Sequence, residues 1–304
     1  MPQAQANGIT IEYERYGDTS APAVLLIMGL GGQLTVWQDA LVHELVKRGY
    51  QVVRFDNRDV GLSTKFEEAG IPDMVELMTA LAQGKTPQAP YSLDDMAADA
   101  VGLLDAIGID KAHIVGASMG GMIAQLVAVN HPDRALSLVS IMSNTGNPEL
   151  PQGKPEAMAA LTTPAPAGAD METLITHSAN TWRVIGSPGY PTPDEELRGW
   201  MERDIKRSYY PQGIARQMAA IMSNGDRRAK LNKLNLPAIV LHGVDDPLVP
   251  LAGGEDTAAS IPGAELRAIP GMGHDFPTAL VPVFADAIDA AAQRTNAGAG
   301  KAAE

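Results

Sequence analysis

The sequence predicts an α/β fold, a mostly parallel sheet flanked by helices and divided once by a run of helices. Short β-rich apolar runs alternate with amphipathic stretches through the first half of the chain, the rhythm of parallel strands joined by crossover helices. That rhythm breaks between about Asn144 and Lys230 and then resumes. The 304 residues suffice for one large α/β domain with a substantial insertion.

Each element follows in order. Asn7-Gly8 supplies the positive φ angles of a tight hairpin, and Ile9, Ile11 and Tyr13 alternate after it, so an antiparallel pair opens the domain. Next come the strand AVLLIM and the helix VWQDALVHELVKRG, then YQVVRFD and SLDDMAADAVGLLDAIG, then KAHIVGA and MGGMIAQLVAVNHP, and then the strand ALSLVSIM. Beyond a proline-rich connection, helical patterns cover METLITHSANTWRVIG, DEELRGWMERDIKRSYY and PQGIARQMAAIMSNG. The strand PAIVLHG, a helix near Gly254 to Ser260, the strand AELRAIP and a helix from about Thr278 to Gln293 complete the set. The expected layout is a core over 1–143 and 231–295, a helical insertion over 144–230 and a disordered tail over 296–304, where AGAGKAAE offers no apolar face.

Composition narrows the function classes. The net charge of -13 sets up a field that repels nucleic-acid backbones and anionic lipid surfaces. Cysteine is absent, which removes disulfides, thiolate metal sites and cysteine nucleophiles and fits a reducing compartment. No basic patch with an apolar run resembles a secretory signal, and the longest apolar run near the start, AVLLIMGL, is far too short to span a membrane. The cytoplasm is the expected location, with a small molecule rather than nucleic acid or membrane as partner and the oligomeric state left open.

The chemistry centres on GASMGG. The strand KAHIVGA runs into Ser118 and a helical pattern follows at once, with Gly116 and Gly120 on either side, which is G-x-S-x-G in its strand-turn-helix setting. A serine at so tight a turn needs small residues two positions away on each side, and the turn leaves the Met119 amide at a helix N-terminus, aimed at a developing oxyanion. Two phosphate-loop readings fall short. GLGGQL follows a strand but has Leu34 where a dinucleotide loop needs its third glycine, and Gly84-Lys85-Thr86 lacks both a leading glycine and a preceding strand.

A serine hydroxyl needs a histidine base, itself oriented by a carboxylate. His43, His113, His131 and His177 fall within or at the ends of elements and read as packing or surface, while His242 ends a strand and stays a weaker candidate. His274 lies in the loop GMGHD after the last strand, at the carboxyl edge where α/β ligand sites gather. The loop GVDD offers Asp245 and Asp246, of which one faces the histidine and the other makes an acidic turn or helix cap. No His or Glu cluster at ligand spacing supports a metal site.

Taken together, IMGLGG, DNRDVGLS, GASMGG, HGVDDPLVP and GMGHD resemble the α/β-hydrolase superfamily over nearly the whole chain outside the insertion. The resemblance implies an eight-stranded sheet with a helical cap after the sixth strand and makes Asp246 the acid, three residues after the loop glycine. It implies an oxyanion hole formed by the amides of Met119 and Leu30, with Gly29 beside the substrate. The usual His-Gly-x loop reads Met28-Gly29-Leu30 here, as in the aclacinomycin methylesterase-like group, where the elbow is G-x-S-M-G. Asp56, Arg58, Gly61 and Ser63 match the segment D-x-R-x-x-G-x-S, read as a brace beside the site.

In the insertion, Met158, Met171, Trp182, Trp200, Met201, Tyr209, Tyr210, Met218 and Met222 either line an apolar pocket or glue the helices together. Trp182, Met218 and Met222 are taken as substrate-lining. The reading is a cofactor-free serine carboxylesterase acting on a small to medium, partly apolar ester. Perhydrolysis, lactone opening and carbon-carbon cleavage use the same three residues, and a non-catalytic receptor is the rival outside enzymes.

Overall fold

The computed structural model describes residues 2–301. Eight strands form one sheet: β1 (Gln3–Ala6), β2 (Ile9–Tyr16), β3 (Ala23–Ile27), β4 (Gln51–Phe55), β5 (Ala112–Ala117), β6 (Ala135–Ile141), β7 (Ala238–Gly243) and β8 (Glu265–Ile269). Their order is β1-β2-β4-β3-β5-β6-β7-β8. The pairs β1/β2 and β2/β4 are antiparallel and every later pair is parallel. Asn7 and Gly8 turn the opening hairpin at φ 48° and 79°.

The helices are α1 (Asp39–Lys47), α2 (Met74–Ala82), α3 (Leu93–Ala106), α4 (Met119–Asn130), α5 (Pro155–Thr162), α6 (Met171–Ile185), α7 (Asp194–Arg207), α8 (Pro211–Asn224), α9 (Arg228–Leu231), α10 (Leu251–Ser260) and α11 (Val281–Lys301). They cover both faces of the sheet, which explains why its central strands are apolar without alternation. In β3, Leu25 and Ile27 join α3 and α4 residues such as Met96, Leu104, Ile123 and Leu126 in one core. Val24 and Leu26 face the other way, onto Leu41 and Leu45 of α1 and Phe284 and Ile288 of α11.

Helices α5 to α9 all fall between β6 and β7, where the break in rhythm places an insertion. Ile175, Ala179, Leu197 and Met201 form a small core between α6 and α7. Three helices go beyond the sequence reading, among them the single turn α9. Helix α5 begins with Pro155 in its first turn, a position that needs no amide donor and suits the fixed φ of proline, so a residue that reads as a connection starts a helix. Helix α2 is capped by Asp73, which accepts from the amides of Val75 and Glu76, but Val75 and Met78 are exposed and its apolar residues give no core-facing stripe. The closing helix runs past Gln293 to Lys301, and the last part of the expected tail, 302–304, lies outside the described residues.

Candidate active site

Ser118 joins the end of β5 to the start of α4 at φ 55° and ψ -122°, a sparsely populated conformation for a residue with a side chain. The neighbouring glycines are sterically required. A Cβ on Gly116 would lie 2.0 Å from the carbonyl oxygen of Gly120, and one on Gly120 would lie 2.0 Å from that of Ile27. The turn is held by the Ser118 amide, which donates to Ile141 O at 2.9 Å, and by Ser143 Oγ, which donates to Ser118 O at 2.8 Å. Ser118 is half-buried.

The loop after β8 brings His274 to it. Ser118 Oγ lies 3.0 Å from His274 Nε2, and His274 Nδ1 lies 2.7 Å from Asp246 Oδ2. The second carboxylate oxygen of Asp246 accepts from the amides of Leu248 and Val249 at 2.9 and 2.8 Å. Two backbone donors thus occupy one oxygen of Asp246 and leave the other to His274 Nδ1. Asp245 turns away and accepts from the Gly271 amide at 2.8 Å, while its own amide donates to Met272 O at 3.0 Å. One aspartate thus meets the histidine and its neighbour ties the acid loop to the histidine loop.

The other histidines stay apart from this chain of hydrogen bonds. His113 lies in β5 with Nδ1 2.9 Å from Ser137 Oγ. His242 is fully buried, donates from Nε2 to Val249 O at 2.8 Å, and sits 3.7 Å from Asp246 behind the acid. Burial pushes its pKa down, against the opposing pull of Asp246.

Gly29 lies against the serine: a Cβ placed there would be 3.0 Å from Ser118 Cβ. Around it, Asn57 Nδ2 donates to Met28 O at 2.8 Å, the Gly32 amide donates to Gly29 O at 3.2 Å, and the Gly31 amide donates to Gln217 Oε1 at 2.8 Å. Among the described residues the amides of Leu30 and Met119 donate to no protein acceptor, the state required of oxyanion donors.

A family model for the α/β hydrolase fold matches residues 22–277. The chain belongs to this family. Rhodomycin D methylesterase from Streptomyces peucetius is 28% identical over 92% of this chain and 94% of its own. Among solved structures, the meta-cleavage product hydrolase from Pseudomonas fluorescens superposes with a TM-score of 0.72 at 20% identity, covering 94% of this chain and 95% of that one. The enol-lactonase from Burkholderia xenovorans gives 0.69 at 24% identity, covering 94% and 97%.

In this α/β hydrolase the segment after β4 acts as a brace. Asp56 is fully buried and accepts from the amides of Leu34 and Leu62, both at 2.8 Å, and Arg207 of α7 lies 2.8 Å from it. Burial raises the Asp56 pKa, with Arg207 the main opposing influence. Ser63 Oγ donates to Asp56 O at 2.6 Å, and Arg58 is paired through both its Nε and Nη2 with Asp99 at 2.6 and 2.7 Å. Asn57, beside the residues the sequence singles out, is the member of this segment that reaches the Gly29 loop. The insertion meets the histidine loop too. The His274 amide donates to Ile185 O at 2.7 Å, and Ser187 Oγ accepts from the Gly273 amide and donates to Asp275. Ser187 and Gln217 carry no local sequence signal, because their partners lie 86 and 186 residues away.

Of the pocket candidates, Met218 and Met222 are half-buried on α8. Trp182 packs on the small core of α6 and α7 and borders a cavity of about 20 Å³ with Trp200, Met201 and Phe276. Met171 and Tyr209 are exposed. A surface concavity of about 390 Å³ is lined by Lys65 to Ala69 and includes none of Ser118, Asp246 and His274. Among the described residues no group of three or more His, Cys, Asp or Glu is placed to hold a metal ion, and no helix is long and apolar enough to cross a membrane.

Proposed function

We propose that the chain hydrolyses a small to medium, partly apolar carboxylic ester through an acyl-enzyme formed on Ser118. The observation that carries this is His274 placed between Ser118 Oγ at 3.0 Å and Asp246 Oδ2 at 2.7 Å, the nucleophile-base-acid chain that acyl transfer needs. His274 takes the hydroxyl proton as Ser118 attacks the ester carbonyl. The resulting oxyanion receives the amides of Leu30 and Met119, while Asp246 holds the imidazolium. Collapse expels the alcohol, which takes the proton from His274. Water then attacks the acyl-enzyme by the same route in reverse and releases the acid.

The naming of a relative as a methylesterase supports an ester as the substrate class, and residues 144–230 are read as the cap over the site. A lactone is an internal ester and would open by the same steps. The test is a panel of short and long p-nitrophenyl esters and of lactones, run beside active-site labelling by a fluorophosphonate. Wild type turns over the esters and is labelled, and Ser118→Ala loses the label and at least roughly 10⁴-fold in kcat. Labelling that persists in Ser118→Ala, or equal turnover by both proteins, contradicts the assignment.

A further inference from the structure

Resting on that reading of Leu30 as an oxyanion donor, we infer that Gln217, on the inserted helix α8, is the positioning residue for the donor, so that the insertion completes the oxyanion hole. The loop after β3 is rich in glycine at 29, 31 and 32 and has little intrinsic stiffness. Three consecutive peptide planes decide where the Leu30 N–H points. The plane between Met28 and Gly29 is held at its carbonyl by Asn57 Nδ2 at 2.8 Å. The plane between Leu30 and Gly31 is held at its N–H by Gln217 Oε1 at 2.8 Å. Between them lies the plane that carries the Leu30 N–H. Its carbonyl accepts from Gly32 N at 3.2 Å, which turns the trans-disposed N–H the opposite way.

Gln217 suits this task. It is fully buried, and its amide nitrogen donates to Arg58 O at 2.8 Å. A backbone N–H on one side and a carbonyl on the other allow one orientation of the side-chain amide. It therefore bridges the loop after β3 to the loop after β4. Helix α8 is fixed at that point by its neighbours. Arg216 pairs with both oxygens of Asp59 at 2.8 Å, and a Cβ on Gly213 would lie 2.1 Å from Asp59 O. Ile214 presses on the loop directly, with its side chain 2.9 Å from where a Cβ of Gly31 would stand. Gln217 supports the loop through its backbone, at the Gly31 amide.

The test compares wild type, Gln217→Met and Gln217→Glu on one p-nitrophenyl ester from about pH 5 to about pH 9, together with inhibition by a trifluoromethyl ketone, whose serine adduct places an oxyanion in the hole. Gln217→Met lowers kcat roughly 10- to 100-fold with little change in KM and weakens the ketone by a similar factor. A protonated carboxyl offers the same acceptor and donor as the glutamine amide. The kcat of Gln217→Glu relative to wild type therefore rises toward one as pH falls and drops as the introduced carboxyl ionises. If Gln217→Met does not fold, that pH-dependent ratio decides alone. A folded Gln217→Met with wild-type kcat and ketone affinity, a loss confined to KM, or a ratio that does not vary with pH overturns the inference. Absence of ester turnover and of fluorophosphonate labelling in wild type overturns the underlying reading, whereas an active wild type with unaffected variants overturns only the role of Gln217.

Discussion

Asp245 and Asp246 are adjacent and do unlike work. Asp246 spends one oxygen on His274 and the other on two backbone amides, so its substitution changes the base. With Asn in its place the imidazole can settle in the wrong tautomer, and Asp246→Asn is expected to lower kcat by about 10⁴-fold with folding retained. Asp245 accepts one amide, that of Gly271, so Asp245→Ala loosens the histidine loop at a cost of about 1 kcal/mol and lowers kcat less than about tenfold. Steady-state rates and denaturation midpoints of the two variants test this, and equal losses of kcat would contradict the division of labour. Adjacency alone shows that one aspartate faces away without showing which, and it was the resemblance, through the spacing after the loop glycine, that singled out Asp246. The serine was legible because its two glycines, one facing the turn itself and the other the end of β3, stand at fixed positions beside it in a strand-turn-helix pattern. Gln217 and Ser187 were not, because nothing near them in the chain announces a partner across the fold.

Strand ends place the candidate site, and three clasps hold the inserted helices to them. Helix α6 ends on the histidine loop through Ile185 and Ser187, and α8 reaches the loops after β3 and β4 through Gln217 and Arg216. The C-terminal end of α7 receives the side-chain amide of Gln33 at the carbonyls of Asp204 and Ser208. The Asp204 carbonyl also accepts from the Ser208 amide at 3.0 Å, so Gln33 adds a second donor there and supplies one to Ser208, whose carbonyl lies past the end of the helix. The clasp at Ser187 is the most exposed to a single change. Its hydroxyl donates to Asp275, whose pKa is raised by burial and held back chiefly by that same serine. Ser187→Ala leaves the Gly273 amide and the Asp275 carboxyl short of a partner and is expected to cost about 1–3 kcal/mol. A denaturation midpoint indistinguishable from wild type would show the clasp to be replaceable by water. At this scale strand alternation and helix periodicity are read well from sequence, but α2 is not, since exposed apolar residues leave no stripe for periodicity to find.

For the molecule as a whole, the mostly parallel sheet and the place of the inserted helices after β6 were legible because the central strands β3 to β7 are buried on both faces and read as short unbroken apolar runs, whereas the order of the strands in the sheet leaves no mark in composition or spacing. Burial also decides how the fold answers to acid. His113 lies inside β5 and is 3% exposed, and desolvation pushes its pKa down to about 4, whereas an unfolded chain protonates histidine near 6.5. Between those two values the unfolded state binds a proton that the native state refuses, so stability falls as the pH drops through the window and is fully present above about 6.5. The loss at the acid end is on the order of 3 kcal/mol for this residue. His242, buried and also shifted down, adds to it in the same direction. Urea midpoints of wild type and His113→Gln, measured near pH 7 and near pH 5, separate the term, because the fixed cost of losing the imidazole cancels between the two conditions. Wild type should lose more stability on acidification than His113→Gln, and the same loss in both proteins would mean that the buried histidine is not what makes the fold acid-sensitive.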